Sequence, residues 1–224
     1  SGTIASVAPF TGDFGRVYTM VDVDTQSQSD GEDDAFARQS SVPSLDLALD
    51  YLAELPGAPP LKQFTDPDKP IHTLVVYGGD TDLLITTNQY VVKSRIEELK
   101  AGIDALKTIT GVEKVLLAIP GEMMQGYGHL GVEVRKVDTV YPAAFPQKIV
   151  QNVIGRTWPA GQSAQDLGLY FITAEAVASL GTAFTESRYP VRKLLTVVDK
   201  TLNQTLVSAV IGTSLPAASR PKPA

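Results

Sequence analysis

A glycine-rich, acidic turn at residues 77–83 is the part of the sequence best suited to bind a small ligand. It reads Tyr-Gly-Gly-Asp-Thr-Asp-Leu and directly follows a run of apolar residues. Two glycines allow the backbone to approach a ligand closely. The carboxylates of Asp80 and Asp82 could accept hydrogen bonds from sugar hydroxyls or hold a cation. A glycine turn with solvated acids would have the same sequence, so both interpretations stay open.

Two further segments could meet an anion. Residues 55–62 contain Gly57 but also Pro59 and Pro60, and proline lacks the amide donor that binds phosphate. Thr173 precedes a predicted helix and could place an anion at the start of that helix. Simple capping of the helix explains this threonine better, because threonine is a preferred N-cap residue.

The composition excludes several chemistries. The chain has 0 cysteines, so it carries no disulfide, thiolate nucleophile or iron–sulfur cluster of its own. With only His72 and His129, a multi-histidine metal site is not expected. Neither a G-x-S-x-G nor an HExxH motif is present, so no residue is assigned a catalytic role. Residues 24–42 are polar and acidic and are interpreted as a solvated linker. A cation site at Asp30, Glu32, Asp33 and Asp34 is the alternative, although the spacing of a calcium loop is absent.

The charge and hydropathy of the chain limit its partners. A formal net charge of −6 argues against nucleic-acid binding, which normally requires a basic surface. An acidic surface would instead favour docking to a basic partner, such as a cytochrome or another subunit. No run of about 18 apolar residues occurs, so no membrane span is expected.

Alternating strands and helices must position the candidate turn. Apolar runs predict strands at 72–77, 115–119, 132–137 and 167–172, and three- to four-residue spacing predicts helices at 45–55, 89–108, 146–155 and 173–183. This order predicts the α/β class, with a mostly parallel sheet and helices on both faces. In such sheets, ligands bind beyond the carboxyl ends of the strands, where residues 77–83 would lie.

Strands are also predicted near both ends of the chain. Residues 3–7 and 16–23 predict a small N-terminal β hairpin, and residues 194–198 and 206–211 predict two late strands. The predicted organisation is a small β subdomain over 1–24, an acidic linker over 25–43, the α/β domain over 44–215 and a loose tail over 216–224.

Six segments follow the order of a known family. Residues 71–83 resemble its "NGAECEP" turn, 140–161 its "YPQGGEKQL…TGREVPSG" stretch, 166–173 its "DVGVVVQN", 192–198 its "ERVVTVTG", 211–213 its "IGTP", and 1–5 its "SGTV" hairpin. The sequence therefore resembles the flavin/NADH domain shared by the C subunit of Rnf complexes and the flavin subunit of complex I. The A subunit of sodium-translocating NADH:quinone reductase is a more distant relative.

The departures from that family lie in its nucleotide contacts. The flavin phosphate loop "GxGGAGFPT" is reduced at 55–62 to Gly57 and Ala58, with Pro60 and Lys62 as further matches. Tyr77 stands where the family has asparagine, Pro146 replaces a glutamate, Ala144 and Phe145 replace glycines, and 172–176 replaces "QNVGT". These replacements remove both the room that glycines leave for a nucleotide and backbone amides that could donate to it. The resemblance therefore implies a retained fold with a degenerate flavin site. Vestigial contacts are expected at Gly57, Lys62, Gly78, Gly79, Asp80, Asp82 and Thr173.

The resemblance implies a subunit of a membrane-associated electron-transport complex. Its partners would be other subunits, which would hold it on the cytoplasmic side of the inner membrane. Neither FMN nor an iron–sulfur cluster is expected. The chain ends near Ile211-Gly-Thr213, where the cluster-bearing segment of Rnf-type proteins would begin, so a shortened chain and one that never carried clusters both fit.

Three functions stay open from the sequence. The first is an RnfC-like scaffold or docking domain. The second is a working FMN/NADH oxidoreductase domain with divergent contacts, using Asp80, Asp82 and the Gly57 loop. The third is an unrelated α/β module that binds a small ligand such as an anion or a sugar.

Overall fold

The computed structural model describes residues 2–24, 37, 41–52, 59–124 and 126–213. The chain divides into two compact units, Ser1–Asp34 and Ala35–Ala224. Several predictions fall outside the described residues: most of the acidic linker, including Asp30, Glu32, Asp33 and Asp34; Gly57 with its neighbours 53–58; and the predicted tail.

The N-terminal unit contains the predicted hairpin. Strands β1 (Thr3–Thr11) and β2 (Val17–Asp24) pair antiparallel, with a bulge between Ile4 and Ser6. A short 3-10 turn, Asp13–Gly15, joins them, and Gly15 adopts a φ of 71° there. β1 extends four residues beyond its predicted end, and β2 is shifted by one residue from its predicted limits, because the mixed polar and apolar ends of both strands give no clear boundary.

The larger unit is built on a four-stranded parallel sheet. Its strands are β3 (Thr73–Tyr77), β4 (Lys114–Pro120), β5 (Glu133–Val137) and β6 (Leu169–Thr173), in the order β5-β4-β3-β6. All three neighbouring pairs are parallel. Strand β3 is buried along its whole length, as expected for a central strand covered on both faces. The predicted fold class is confirmed.

Helices cover both faces of this sheet. They are α1 (Leu45–Leu52), α2 (Thr87–Ser94), α3 (Ile96–Thr110), α4 (Pro146–Ile149) and α5 (Ala174–Glu186). Alternate β3 side chains reach opposite cores: Leu74 and Val76 lie in the same cluster as buried residues of α1, α2, α3 and α5, and Val75 and Tyr77 lie with Ile149 and Val150. A π-helical turn, Val150–Ile154, extends α4.

Two glycines bring α3 and α5 into close contact. A Cβ atom built on Gly102 would lie 1.9 Å from the Val177 carbonyl oxygen, and one built on Gly181 would lie 1.9 Å from the Glu98 carbonyl oxygen. Real Cβ atoms essentially never approach another heavy atom this closely. The two helices therefore cross at a distance that only glycine permits at these two positions.

The single helix predicted over 89–108 is wrong in its continuity. The chain forms α2 and α3 with a break at Arg95, whose backbone leaves the helical region at φ −130° and ψ 45°. The Arg95 side chain donates to Glu98 in α3 and to Thr182 in α5. Because the apolar spacing of Val92, Ile96 and Leu99 continues across the break, periodicity alone could not reveal it.

The two late strands form a separate hairpin. Strands β7 (Arg192–Val198) and β8 (Gln204–Val210) pair antiparallel with each other, in a two-stranded sheet of their own. Their turn is organised by Asp199, which accepts hydrogen bonds from the backbone and side chain of both Thr201 and Asn203.

The Asp199 turn should be sensitive to acid. Hydrogen bonds, first from the Thr201 side chain and then from the Asn203 backbone, lower the pKa of Asp199 to about 2. An aspartate in an unfolded chain has a pKa of about 3.9. The stabilisation is therefore complete above about pH 4 and is lost as the pH falls through about 2. The amide resonances of Thr201 and Asn203 should shift in this window.

The matched control for this titration is Asp199→Asn, which removes the ionisable group at the same size. Its Thr201 and Asn203 amides should show no transition of their own between pH 4 and pH 2. A transition that persists in this variant would assign the titration to another carboxylate.

Candidate functional site

The carboxyl edge of the sheet brings most of the predicted site residues together. Strand β3 ends at Tyr77 and is followed by Gly78, Gly79 and Asp80, and β6 ends at Thr173. Tyr77 and Thr173 are direct register partners. This edge therefore lies where open α/β sheets bind their ligands.

Asp80 is fully engaged at the start of α2. Its Oδ1 accepts from the Asn88 backbone N and Nδ2, each at 3.0 Å, and its Oδ2 accepts from the Gln89 backbone N at 3.3 Å. The first amides of a helix have no partner within the helix. Asp80 supplies acceptors for two of them from outside, so its carboxylate serves as a cap.

Asp82 has a more local role. Its Oδ1 accepts from the Leu84 backbone N at 3.2 Å, and its side chain lies in an exposed part of the turn. This is the Asx-type turn that aspartate commonly forms with a residue two positions ahead.

The two glycines of the turn differ in what surrounds them. A Cβ on Gly78 would lie 2.6 Å from Val92 Cγ2 and 2.7 Å from Ile119 Cγ2, so protein side chains already fill that space. A Cβ on Gly79 would meet nothing closer than Tyr77 Cε2, at 3.4 Å. Close packing requires glycine at position 78, whereas position 79 has room for a side chain.

Tyr77 occupies the interior beside this edge. Its side chain is only 7% exposed and belongs to the core that contains Ile149 and Val150. Among the described residues, nothing hydrogen-bonds its hydroxyl. Burial, and to a lesser extent the charge of Asp80, raises the pKa of Tyr77 far above its usual value. Tyr77 is therefore a neutral space-filling group.

Thr173 caps α5. It has an extended backbone, and its Oγ1 accepts from the Ala176 backbone N at 3.2 Å. The structure thus shows the hydrogen bond that a capping threonine makes. The hydroxyl oxygen that could have met an anion is occupied by the Ala176 amide.

Replacing Thr173 by alanine should destabilise the larger unit by about 1 kcal/mol, because an amide of α5 loses its acceptor. Thr173→Ser keeps the hydroxyl and should stay close to the parent. Urea unfolding followed by the fluorescence of Trp158 measures both, since this single tryptophan packs against the core of the sheet. Equal stability of the two variants would contradict the cap.

The segment aligned with the flavin phosphate loop is described only from Pro59 onward. Residues 61–65 form a 3-10 turn, and Lys62 is exposed on it. The Lys62 carbonyl accepts from Thr65 Oγ1 at 2.9 Å. Pro59 and Pro60 have no amide hydrogen, so the described part of this loop offers a phosphate two backbone donors fewer than a loop without proline at these positions would.

A cleft of about 430 Å³ lies at the neighbouring ends of β4 and β5, and none of the predicted site residues lines it. Its walls come from four segments: the end of β4, the end of β5, the loop that follows β5, and the α4 helix with its π-helical extension. The residues that line the cleft include Glu122, Lys136, Asp138, Tyr141, Lys148 and Asn152. Part of its lining, including Tyr141, Lys148 and Asn152, belongs to the 140–161 segment that resembles the family. The sequence did not show that this segment meets the ends of β4 and β5.

The segment that leads into α4 differs from the family motif at three positions. Where that motif has two glycines and a glutamate, the chain has Ala144, Phe145 and Pro146. Phe145 packs edge-on against Tyr141 with ring centroids 5.6 Å apart, and Pro146 begins α4 without an amide donor.

No metal centre is formed by the described residues, since no group of three or more histidines and acids there lies close enough to share an ion. The absence of cysteine applies to the whole sequence. None of the helices in the described ranges has the length and apolar content needed to cross a bilayer.

The fold and this edge place the larger unit among open parallel α/β domains. No family model matches the sequence. Curated relatives that are named as the C subunit of an ion-translocating oxidoreductase complex are similar to it. The protein from Pseudomonas aeruginosa is 26% identical over 155 residues, which is 66% of this chain and 20% of the relative. The protein from Haemophilus influenzae PittEE is 24% identical over 207 residues, 84% of this chain and 31% of the relative.

A third relative of the same name, from Rhodobacter capsulatus, is 29% identical over 117 residues, 47% of this chain and 22% of the relative. These similarities confirm the resemblance to the Rnf-type protein that the motifs predicted. The chain spans less than a third of the length of each of these three relatives.

Proposed function

We propose that this chain is an RnfC-like component of a membrane-associated electron-transport complex, in which the flavin/NADH-type domain serves as a scaffold or docking domain. The observation that carries the proposal is the state of the sheet edge. Tyr77 fills the interior beside it, and the Asp80 carboxylate caps α2. We take this filled and engaged edge as a degenerate flavin site, which suits a structural role.

The proposed partners are the other subunits of such a complex, which hold the chain on the cytoplasmic face of the inner membrane. The names of the relatives support this, since each is a complex subunit. The net charge of −6 supports docking to a basic surface, for which a cytochrome is one example. Electrostatic docking of this kind weakens as salt is added.

The first experiment asks whether flavin binds. The purified full chain is titrated with FMN while flavin fluorescence and absorbance are followed. We expect no saturable quenching and no yellow chromophore after gel filtration. Stoichiometric retention of FMN would overturn the degenerate-site proposal.

The second experiment tests the partners separately. The tagged chain is recovered from membranes of its native host, and co-purifying proteins are identified by mass spectrometry. Subunits of an ion-translocating oxidoreductase are expected at low salt. Their absence, in a preparation where the bait itself is recovered, would contradict the docking role whatever the FMN result.

A working FMN/NADH domain with divergent contacts is the second candidate. It is favoured by the room at Gly79, where a Cβ would make only ordinary contacts with Tyr77, next to the adjoining ends of β3 and β6. It requires FMN binding together with NADH oxidation that depends on the flavin, so the first titration, repeated with NADH, separates the two candidates.

A further inference from the structure

Asn88 links two helices that start at the carboxyl edge of the sheet. Its Nδ2 donates to Asp80 Oδ1 at 3.0 Å, and its Oδ1 accepts from the Glu175 backbone N at 3.1 Å. One amide side chain therefore joins the turn after β3 to the first turn of α5. Both of its functional atoms are engaged, which fixes its orientation.

Glu175 continues the link to the β7–β8 hairpin. Its Oε2 lies 3.3 Å from Lys193 Nζ on β7, and Lys193 Nζ also lies 3.4 Å from Ser179 Oγ on α5. The Glu175 and Lys193 side chains are only 17% and 22% exposed. A half-buried pair of this kind is less screened by solvent than a surface ion pair.

A second group of contacts ties β7 to the start of α2. Thr196 Oγ1 accepts from the Thr86 backbone N at 3.1 Å and lies 2.9 Å from Thr87 Oγ1. Thr86 directly precedes α2, the helix whose first amides are held by Asp80. Strand β7 is thus fastened at two helix starts, and Asn88 connects both of them.

We infer that Asp80, Asn88, Glu175 and Lys193 form a clasp that couples the turn after β3 to the β7–β8 hairpin. Asp80 is a positioning residue in this clasp: it fixes the start of α2, and through Asn88 the start of α5, so that both helix starts meet β7. The clasp depends only on these hydrogen bonds. It is independent of whether the chain acts in an electron-transport complex.

Asp80→Ala, which removes both acceptor oxygens, tests the clasp by hydrogen exchange on the full chain. Exchange of the paired β7 and β8 amides should accelerate about tenfold, because opening of the hairpin becomes easier. The matched control is Asp82→Ala, the same substitution two residues away on an acid outside the clasp. It should leave these amides within about twofold of the parent.

Asn88→Ala tests the middle of the clasp with a second variant, in case Asp80→Ala does not fold. It should accelerate exchange both in the hairpin and in the first turn of α5. Unchanged hairpin exchange in a folded Asp80 or Asn88 variant would overturn the inference. So would equal acceleration by Asp82→Ala, which would indicate a general effect of removing charge. This test uses hydrogen exchange and no FMN titration. Failure of the clasp inference can therefore be told apart from failure of the proposed function.

Discussion

Gly102→Ala is expected to destabilise the larger unit by about 3 kcal/mol or more, the upper range for overpacking a well-packed interior. In a free helix, the same change would be stabilising by about 1 kcal/mol, because alanine is the better helix former. Here the new methyl group would lie 1.9 Å from the Val177 carbonyl oxygen. Helices α3 and α5 must therefore separate. Urea unfolding monitored by Trp158 fluorescence measures the loss.

Gly128→Ala provides the matched glycine control. Nothing lies within 4 Å of a Cβ built at that position, so the substitution should change the free energy of unfolding by less than about 0.5 kcal/mol. If Gly102→Ala were as stable as Gly128→Ala, the close crossing of α3 and α5 would be refuted.

Tyr77→Asn, which introduces the residue of the family motif that the 71–83 segment resembles, is expected to destabilise the chain by about 3 kcal/mol. The substitution removes a buried aromatic ring and leaves a cavity among Ile149, Val150 and their neighbours. It also buries an amide group, which is costly when it is unpaired. We expect no flavin binding in return, because the Asp80 carboxylate remains committed to α2. Denaturant unfolding and FMN fluorescence test the two halves of this prediction.

Tyr77→Phe separates the ring from its hydroxyl. Since no described residue bonds that hydroxyl, its removal should leave stability unchanged or raise it by up to about 1 kcal/mol. A loss as large as that of Tyr77→Asn would mean that the hydroxyl has an essential partner. Saturable FMN binding by Tyr77→Asn would mean that the ring alone blocks the site.

The parallel sheet was predictable because its signal is local and strong. The apolar run ending at Tyr77 and that of β4 lie within one residue of their predicted limits, since full burial on both faces leaves little choice of residue. The break at Arg95 was not predictable. It depends on hydrogen bonds to Glu98 and to Thr182 in α5, and the second of these exists only after the chain has folded.

The sequence indicates where the candidate site residues lie in the fold, but not what their side chains bond. The predicted strands over 72–77 and 167–172 end close to where β3 and β6 end, so Asp80 and Thr173 lie at the carboxyl ends of two strands, as expected. The sequence does not show that Asp80 bonds Asn88 and Gln89, because an aspartate that caps a helix and one that meets a ligand look the same in one dimension. The cleft near Lys136 and Lys148 was not predicted, although one of its walls lies in the family-like segment 140–161, because its walls meet only in three dimensions.

The strand order also bears on how the molecule reaches its fold. Thr73 in β3 pairs with Lys114 in β4 but with Leu169 in β6, a separation more than twice as long. Each doubling of a loop adds about 0.6 kcal/mol to the entropic cost of closing it, and distant pairings slow folding. We therefore expect β3, α2, α3 and β4 to assemble first and β6 to join later. The edge that carries Asp80 and Thr173 would then be among the last parts to be completed.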